Sequence, residues 1–492
     1  VVATTATVDP LTLRQQLTDK LEEKNSEFAE NTLYYESSRR PDAIGLAAPP
    51  ELQKLFPHIG YPRLYVNALA ERITPEGFNL PGSSDTDSDL WRWWTTNQLD
   101  VEFNLGCVEA LVHGRAYVTI SAPPTNTDPE NPYFGPPDVP IIRVESPVNL
   151  FADVDPWTRR VTSAIRTYKN EDNDDIRATI YTPDATYYLV KEQDWTVSET
   201  VNHGLGIVPI VPLLNRTKLS DTHGTSEITP ELRSFTDAAG RLLTNMQAAA
   251  ELMGIPQRVI FGITNDDLKR KDGSDVSTFE AYMARILTVA DPSGKVDQFQ
   301  AAQLQNFADG IREIRNEVAA YTGLPPQYLS NAQDNPASAD AIRSAERRLV
   351  LSAERKTVVF GGDLEEAMRV AWRVMNPGSD LPDEYYRLRA IFRNPATPTF
   401  ESKADATSKL YANGQGVIPK ERARVDLGYT TEEREEMRGW DAEQEAHQAE
   451  LVRMYGNPAG DPEKAPTDES GDVSGSPGGS RSSSSKPDPE AK

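Results

Sequence analysis

The side chains of this 492-residue chain that could do chemistry are few and scattered. Five histidines, at 58, 113, 203, 223 and 447, fall in no H-E-x-x-H and no other short cluster. Histidines so scattered give none of the usual zinc-ligand spacings, so the sequence assigns no metal. His203 and His223 precede the pair Ser226-Glu227, residue types that a hydrolase would use. The nucleophile elbow G-x-S-x-G that exposes such a serine is missing. Asp85-Thr-Asp-Ser-Asp89 starts like a calcium loop, but Leu90 stands where glycine should make the turn. Thr96 stands where a bidentate glutamate should close it, so a solvated loop is expected. Gly204-Leu-Gly206 continues as Ile-Val-Pro209 and is no dinucleotide loop, and the chain has no G-x-x-x-x-G-K-[ST]. Cys107 is the only cysteine and lies in the apolar run Leu105-Gly-Cys-Val108. Burial is expected for it, with no disulfide inside the chain and a reducing place of assembly. These residues point to no catalytic residue, no cofactor and no enzyme.

The charge balance points the same way. A formal net charge of -24 sets this chain apart from proteins that grip duplex DNA by neutralising phosphates. DNA, if a partner, would pass near it and not be held. Hydrophobic residues are 38% of the chain, low enough to suggest much exposed surface or an unfolded part. No basic segment followed by an apolar run opens the sequence, and no run of about 18 apolar residues could span a bilayer. The expectation is a soluble protein with no membrane partner, kept in a cell or packed in a particle.

The elements that must position these residues read as α+β. Leu13, Leu17, Leu21 and Phe28 give residues 9–40 a helical period, opened by Asp9-Pro10. Helical stretches follow from Pro62 to Arg72 and from Leu90 to His113, with a polar loop over 79–90 between them. The period then shortens. Ala116–Ile120, Ile141–Glu145, Val161–Tyr168, Ala178–Tyr181 and Thr186–Val190 are β-branched and aromatic runs separated by proline- and aspartate-rich turns, which predicts a mostly antiparallel sheet. The segment from His203 to Pro212 closes it as a turn and strand.

From Thr229-Pro230 the pattern is helical again. Ile228, Leu232, Phe235, Ala239, Leu242, Met246, Ala249 and Met253 recur in alternating steps of four and three, the seam of a helix packed along a neighbour. Gly254 and Pro256 stop it. A compact insert follows, with a strand at Arg258–Phe261, a charged loop from Asp266 to Asp275 and a helix from Thr278 to Ile286. Phe307, Ile311, Ile314, Val318 and Tyr321 then make a second seam, ended by Gly323 and Pro325-Pro326. After a polar connector, a helix begins at Asn335-Pro336 and runs to about Met375, with Gly361-Gly362 expected to kink or break it. A strand from Tyr385 to Phe392 precedes a helical segment from Phe400 to about Met454, interrupted at Gly414–Pro419. From Gly456 onward Ser, Gly, Pro and charge predominate, and disorder is expected.

This order of parts resembles the portal (head–tail connector) proteins of long-tailed double-stranded DNA phages, of the kind that infect actinobacteria. The resemblance rests on Leu64–Arg72 with Gly77-Phe78, Ala110–Val118, Ser146–Asn149, Ser226–Leu232 leading into Asn245–Gln247, Gly323–Leu329 and Asn335–Arg343. It spans about residues 10 to 455 and implies a ring, usually of about twelve copies, closed by heterologous contacts around a DNA channel. It further implies that residues 1–227 form a wing and that 228–253 and 304–323 are stem helices packed through Leu232, Phe235, Leu242, Met246, Phe307, Ile311, Ile314 and Val318. Residues 254–303 would be a clip, with Lys269-Arg270-Lys271 touching a partner, and 324–336 a tunnel loop carrying Leu329, Ser330, Asn331, Gln333, Asp334 and Asn335. Residues 337–398 would hold a long kinked helix and a strand returning to the wing, 399–455 a crown, and 456–492 a disordered tail. The implied partners are further copies of the chain, the terminase large subunit, a head–tail adaptor, the major capsid and scaffold proteins, and double-stranded DNA passing without sequence specificity. The implied place is the portal vertex of a virion assembled in the host bacterial cytoplasm. Two other readings stand beside this one: a different phage head or tail structural protein, or an enzyme whose site follows no known motif.

Overall fold

A computed structural model describes residues 9–40, 56–81, 86–124, 135–169, 176–254, 258–262, 286–289, 292–293, 304–329, 339–396, 400–412, 415–429 and 431–455. Two compact units divide the chain after Pro398.

The first unit opens with α1 (Pro10–Tyr35), whose N-terminus is fixed by the Asp9 carboxylate accepting from the Thr12 backbone N–H at 3.1 Å. Leu17, Leu21 and Phe28 lie on its buried face. Leu17 and Leu21 pack on Ile165, Ile180 and Leu189 of a five-stranded antiparallel meander. That sheet has the order β4 (Leu150–Val154), β5 (Val161–Lys169), β6 (Ile176–Tyr181), β7 (Ala185–Lys191) and β8 (Trp195–Asn202). A three-stranded antiparallel sheet places β2 (Arg115–Ser121) between β3 (Ile141–Glu145) and β9 (Ile210–Leu214). Over it lie α2 (Tyr61–Ala70), α3 (Ser88–Thr96) and α4 (Leu99–His113). The main core joins these helices and that sheet to the long helix, with Trp94, Leu69, Leu111, Ile142, Leu349 and Phe360 almost wholly buried. Cys107 belongs to this core, and burial pushes its thiol up to about 12.

Next come α5 (Pro230–Gly254), β10 (Arg258–Phe261), β11 (Ile286–Val289), α6 (Leu304–Thr322) and the 37-residue α7 (Ala339–Met375). β10 pairs with β11 in parallel. β12 (Arg389–Phe392) returns to pair antiparallel with β1 (Pro75–Asn79), some 300 residues earlier in the chain. In the second unit, α8 (Phe400–Tyr411) packs on α9 (Lys420–Leu427), and α10 (Thr431–Tyr455) is tied to α9 by ion pairs. Arg424 meets Asp441 at 2.7 Å and Arg438 meets Glu421 at 2.8 Å.

Several expectations are corrected. The stretch Leu90–His113 is two helices, because Gln98 takes a left-handed φ of 55° between them. The polar loop over 79–90 is shorter than expected: Asp87 caps α3 through the Leu90 N–H at 2.9 Å, so Ser88 and Leu90 are helical. β1, β4 and β8 are strands that the residue pattern did not announce. Ile286 starts a strand and does not end a helix, while 278–285 lie outside the described residues. Helix α7 runs unbroken through Gly361-Gly362. Phe392 and Ala390 explain Gly361 there, since a Cβ would sit 3.2 Å from the Phe392 ring. The glycine admits β12 against the helix. Tyr385 lies in a 3-10 turn (Asp383–Arg387), so the returning strand begins only at Arg389.

Candidate functional site: the paired helices, their connector and the long helix

The two seams meet, and they run antiparallel. Near the start of α5, Thr229 Oγ1 lies 2.7 Å from the Tyr321 hydroxyl at the end of α6. Phe235 meets Tyr321 edge-on, with ring centroids 6.2 Å apart. Further along, Leu242 Cδ1 would lie 3.4 Å from a Cβ on Gly310, so the glycine lets the two helices close. The expected packing residues sit in this arrangement with graded burial. Leu232 and Val318 are fully buried and Ile311 nearly so. Phe235 and Ile314 flank the main core, and Leu242, Met246 and Phe307 are half-buried. The four-three spacing therefore buries one stripe fully at the end nearest the core and less toward the β10–β11 end, where the helices stand clear of the other layers.

Met246, Ile311 and Leu329 line one cleft of about 530 Å³ between α5, α6 and the connector, beside Arg312 and Arg315. Leu329 is thus brought to the seam. Ser330, Asn331, Gln333, Asp334 and Asn335 lie outside the described residues, as do Lys269, Arg270 and Lys271 and the tail from 456.

The exit from α6 is built to hold direction. Gly323 takes a φ of 74°, its N–H donates to the Ala319 carbonyl at 2.9 Å, and Arg348 Cγ lies 2.9 Å from where a Cβ would be. Any larger residue is strained there. Pro325 then precedes a 3-10 turn (Pro326–Tyr328). The Tyr328 hydroxyl donates to Glu346 of α7 at 3.0 Å and accepts from Arg72 at 3.0 Å. Arg348 donates from α7 to the carbonyls of Ala320 and Tyr321. The connector's base is therefore clamped on both sides by the long helix.

A second fixing point had no signal in the sequence. The ammonium of Lys356 on α7, with the residue only 8% exposed, reaches the Glu227 carboxylate at 2.5 Å and also donates to Asn215. Glu227 further accepts from Tyr65 at 3.0 Å and from Asn215 at 2.9 Å. Burial works to raise the Glu227 carboxyl, but Lys356 and these hydrogen bonds outweigh it and hold it below its ordinary value. The cluster joins α2, the loop after β9, the start of α5 and α7 at one point. Its members are far apart in sequence, and nothing in their local spacing marks them. Nearby, Ser226 donates to the Val112 carbonyl and accepts from the Ile228 N–H at 2.9 Å, so its hydroxyl anchors α5 against the end of α4. That occupies the serine that the sequence placed beside two histidines.

The Asp363 carboxylate of α7 accepts the Leu214 N–H at 3.0 Å at the end of β9. Burial pushes this carboxyl up to about 7, against the opposing pull of that N–H and of Arg216.

The ordered parts (sheet layers, paired helices around an insert, a connector and a long helix) match a known family along nearly their whole length. The family described as phage portal protein, SPP1 Gp6-like, matches residues 14–450, and the chain belongs to it. Two relatives called portal protein, from Mycobacterium phage L5 and Mycobacterium phage D29, are each 52% identical over 440 residues, covering 89% of this chain and 90% of theirs. A solved structure described as the neck of a native GTA particle computed with C12 symmetry shows 13% identity and a TM-score of 0.39, covering 82% of this chain and 93% of that one. No helix among the described residues is long and apolar enough to cross a membrane.

Proposed function

We propose that this chain is the ring subunit of a phage portal vertex, a conduit through which DNA is packaged and ejected, and that it performs no catalysis itself. The observation that carries this reading is the match to the portal family over residues 14–450, which runs from within α1 to within α10. About twelve copies would close into the ring by heterologous contacts. The antiparallel α5–α6 pair then serves as the stem, residues 254–303 as the clip, 324–336 as the loop facing the channel, and 399–455 as the crown. In this reading the terminase large subunit supplies ATP hydrolysis and docks on the clip through Lys269, Arg270 and Lys271, and a head–tail adaptor later takes its place. Major capsid and scaffold proteins surround the wing, and assembly takes place in the bacterial cytoplasm.

The physical argument for a conduit is charge. Each phosphate held by a cation adds affinity that falls with salt and friction that a sliding duplex must overcome. A chain of net charge -24 with the polar connector residues Ser330, Asn331, Gln333 and Asn335 avoids that grip. The test is the mass of the purified full chain by light scattering, with negative-stain images. Rings of about twelve with a central hole support the reading. A stable compact dimer with a closed interface contradicts it.

A further inference from the structure

Two diagonal corners of the five-stranded sheet carry exposed surfaces of opposite charge. At the first corner, the turn between β4 and β5 is held rigid. The Asp155 carboxylate accepts from the backbone N–H groups of Trp157 at 3.2 Å and Thr158 at 3.1 Å and from the Thr158 hydroxyl at 2.6 Å. The Arg159 N–H closes the turn on the Asp155 carbonyl at 2.7 Å. This frame holds Trp157 out into solvent, 92% exposed. Behind it opens a cavity of about 500 Å³ with an apolar floor that includes Val161, Ile210 and Leu381, and with Arg159, Arg160 and Arg373 among its walls. These three arginines have no ion-pair partner among the described residues. Glu366 of the same cavity is paired with Arg369 at 2.8 Å, so these three guanidinium groups leave the corner net positive and, in a chain of net charge -24, able to accept carboxylates, with Trp157 exposed two residues before Arg159.

The diagonal corner carries the complement. β8 is the far edge of the same sheet and is exposed from Thr196 to Asn202. It has neither lysine nor proline, the residues that usually keep an edge strand from pairing, and it shows Val197 at 40% and Val201 at 43% exposure. Glu192 and Asp194 in its leading turn and Glu199 within it are exposed and have no ion-pair partner among the described residues.

We infer that the Trp157–Arg159–Arg160 corner of one copy receives the Glu192–Asp194–Glu199 edge of the next, a head-to-tail contact between wings. The two surfaces differ and lie at opposite edges of one sheet, so the contact is heterologous and leaves one free end of each kind until the ring closes. Opposite charge steers the encounter, and the valines and Trp157 bury apolar surface once it forms. This inference rests on the ring reading above.

The test uses the full chain in three forms beside the parent: R159E with R160E, then E192K with D194K and E199K, and then all five together. All five side chains are exposed, and circular dichroism with thermal melting checks that each form folds. Light scattering and negative-stain counts give the fraction in rings across a concentration series. The expected result is that each charge-reversed set raises the concentration needed for half-assembly at least tenfold, and that the combined form returns to within threefold of the parent. Rings unaffected by either set, or lost in both and not restored in the combination, overturn the inference while leaving the ring reading intact. A folded parent that forms no rings overturns the ring reading itself, and this inference with it.

Discussion

Replacing Lys356 with methionine removes the cation that α7 sets against the segment leading into α5 and leaves the Glu227 carboxylate buried without it. Methionine keeps the stem volume, so the loss is mostly electrostatic. Breaking one partner of a buried pair costs about 3–5 kcal/mol. Two hydrogen bonds to Glu227 survive, from Tyr65 at 3.0 Å and Asn215 at 2.9 Å, which places the expected value near the lower end. Unfolding entropy of about 2.1 cal/mol/K per residue, over a unit of about 400 residues, is about 0.8 kcal/mol/K, so a loss near the lower end should bring the melting temperature down by about 4 °C. Glu227 is held below its ordinary 4.5 in the folded chain, so the pair's stabilisation is complete above that pH and is lost as pH falls through the lower folded value. The defect should therefore be full at pH 7 and shrink in strong acid. Adding Glu227→Gln to Lys356→Met removes the orphaned charge, and the double variant should melt above the single one. Differential scanning calorimetry of the full chain reads all of this. A single variant melting within 1 °C of the parent, or a double variant whose loss equals the sum of the two singles, would show that Lys356 and Glu227 are not coupled in this way.

Leu232→Ala, at a fully buried seam position, should cost about 2–5 kcal/mol, read as a shift in the first thermal transition. An exposed control on the same helix, Arg241→Ala, should move it far less. Gly323→Ala forces a left-handed φ on a residue with a Cβ and drives it toward Arg348, which should cost about 1–3 kcal/mol by the same measurement. Asp363→Asn should change the pH profile. The folded chain keeps a proton on Asp363 up to about pH 7, where the unfolded chain has released it near 3.8. The parent's share of stability from this group is thus full below the unfolded value and is lost as pH rises through about 7. The variant should gain on the parent by up to roughly 4 kcal/mol between pH 4 and pH 8, at about 1.4 kcal/mol per pH unit. Parallel melting curves of the two proteins across that range would contradict it.

The sequence carried the helical half of this architecture well. The steps from Leu232 to Met246 and from Phe307 to Val318 follow from one face of each helix packing against its neighbour, and period alone reveals such a face. The cap at Asp9-Pro10 and the stop at Gly323 are local chemistry and read locally. Strands fared unevenly for a physical reason. β8 is exposed on both faces, so no alternation marks it, and β1 owes its form to β12, whose pairing partner no local window contains. The break at Gln98 has no glycine or proline to announce it. Gly361-Gly362 reads as a kink, yet the space occupied by Phe392 shows why glycine is there. The Lys356–Glu227–Asn215–Tyr65 cluster was illegible because it is purely tertiary. Ser226-Glu227 reads locally as residue types a hydrolase would use, or as part of the stretch Ser226–Leu232, whereas in the fold both residues fasten the entry to α5 in place.

In the proposed ring the α5–α6 pairs stand around a common axis, with the insert between them at one end. An image reconstruction of the assembled full chain, at a resolution that separates helices, tests it most directly. The predicted result is a ring of about twelve copies in which the α5–α6 pairs surround the central hole, residues 254–303 form a collar at one end, and the five-stranded sheets lie at the rim. A ring whose hole is lined by the five-stranded sheets, with the paired helices outside, would contradict it.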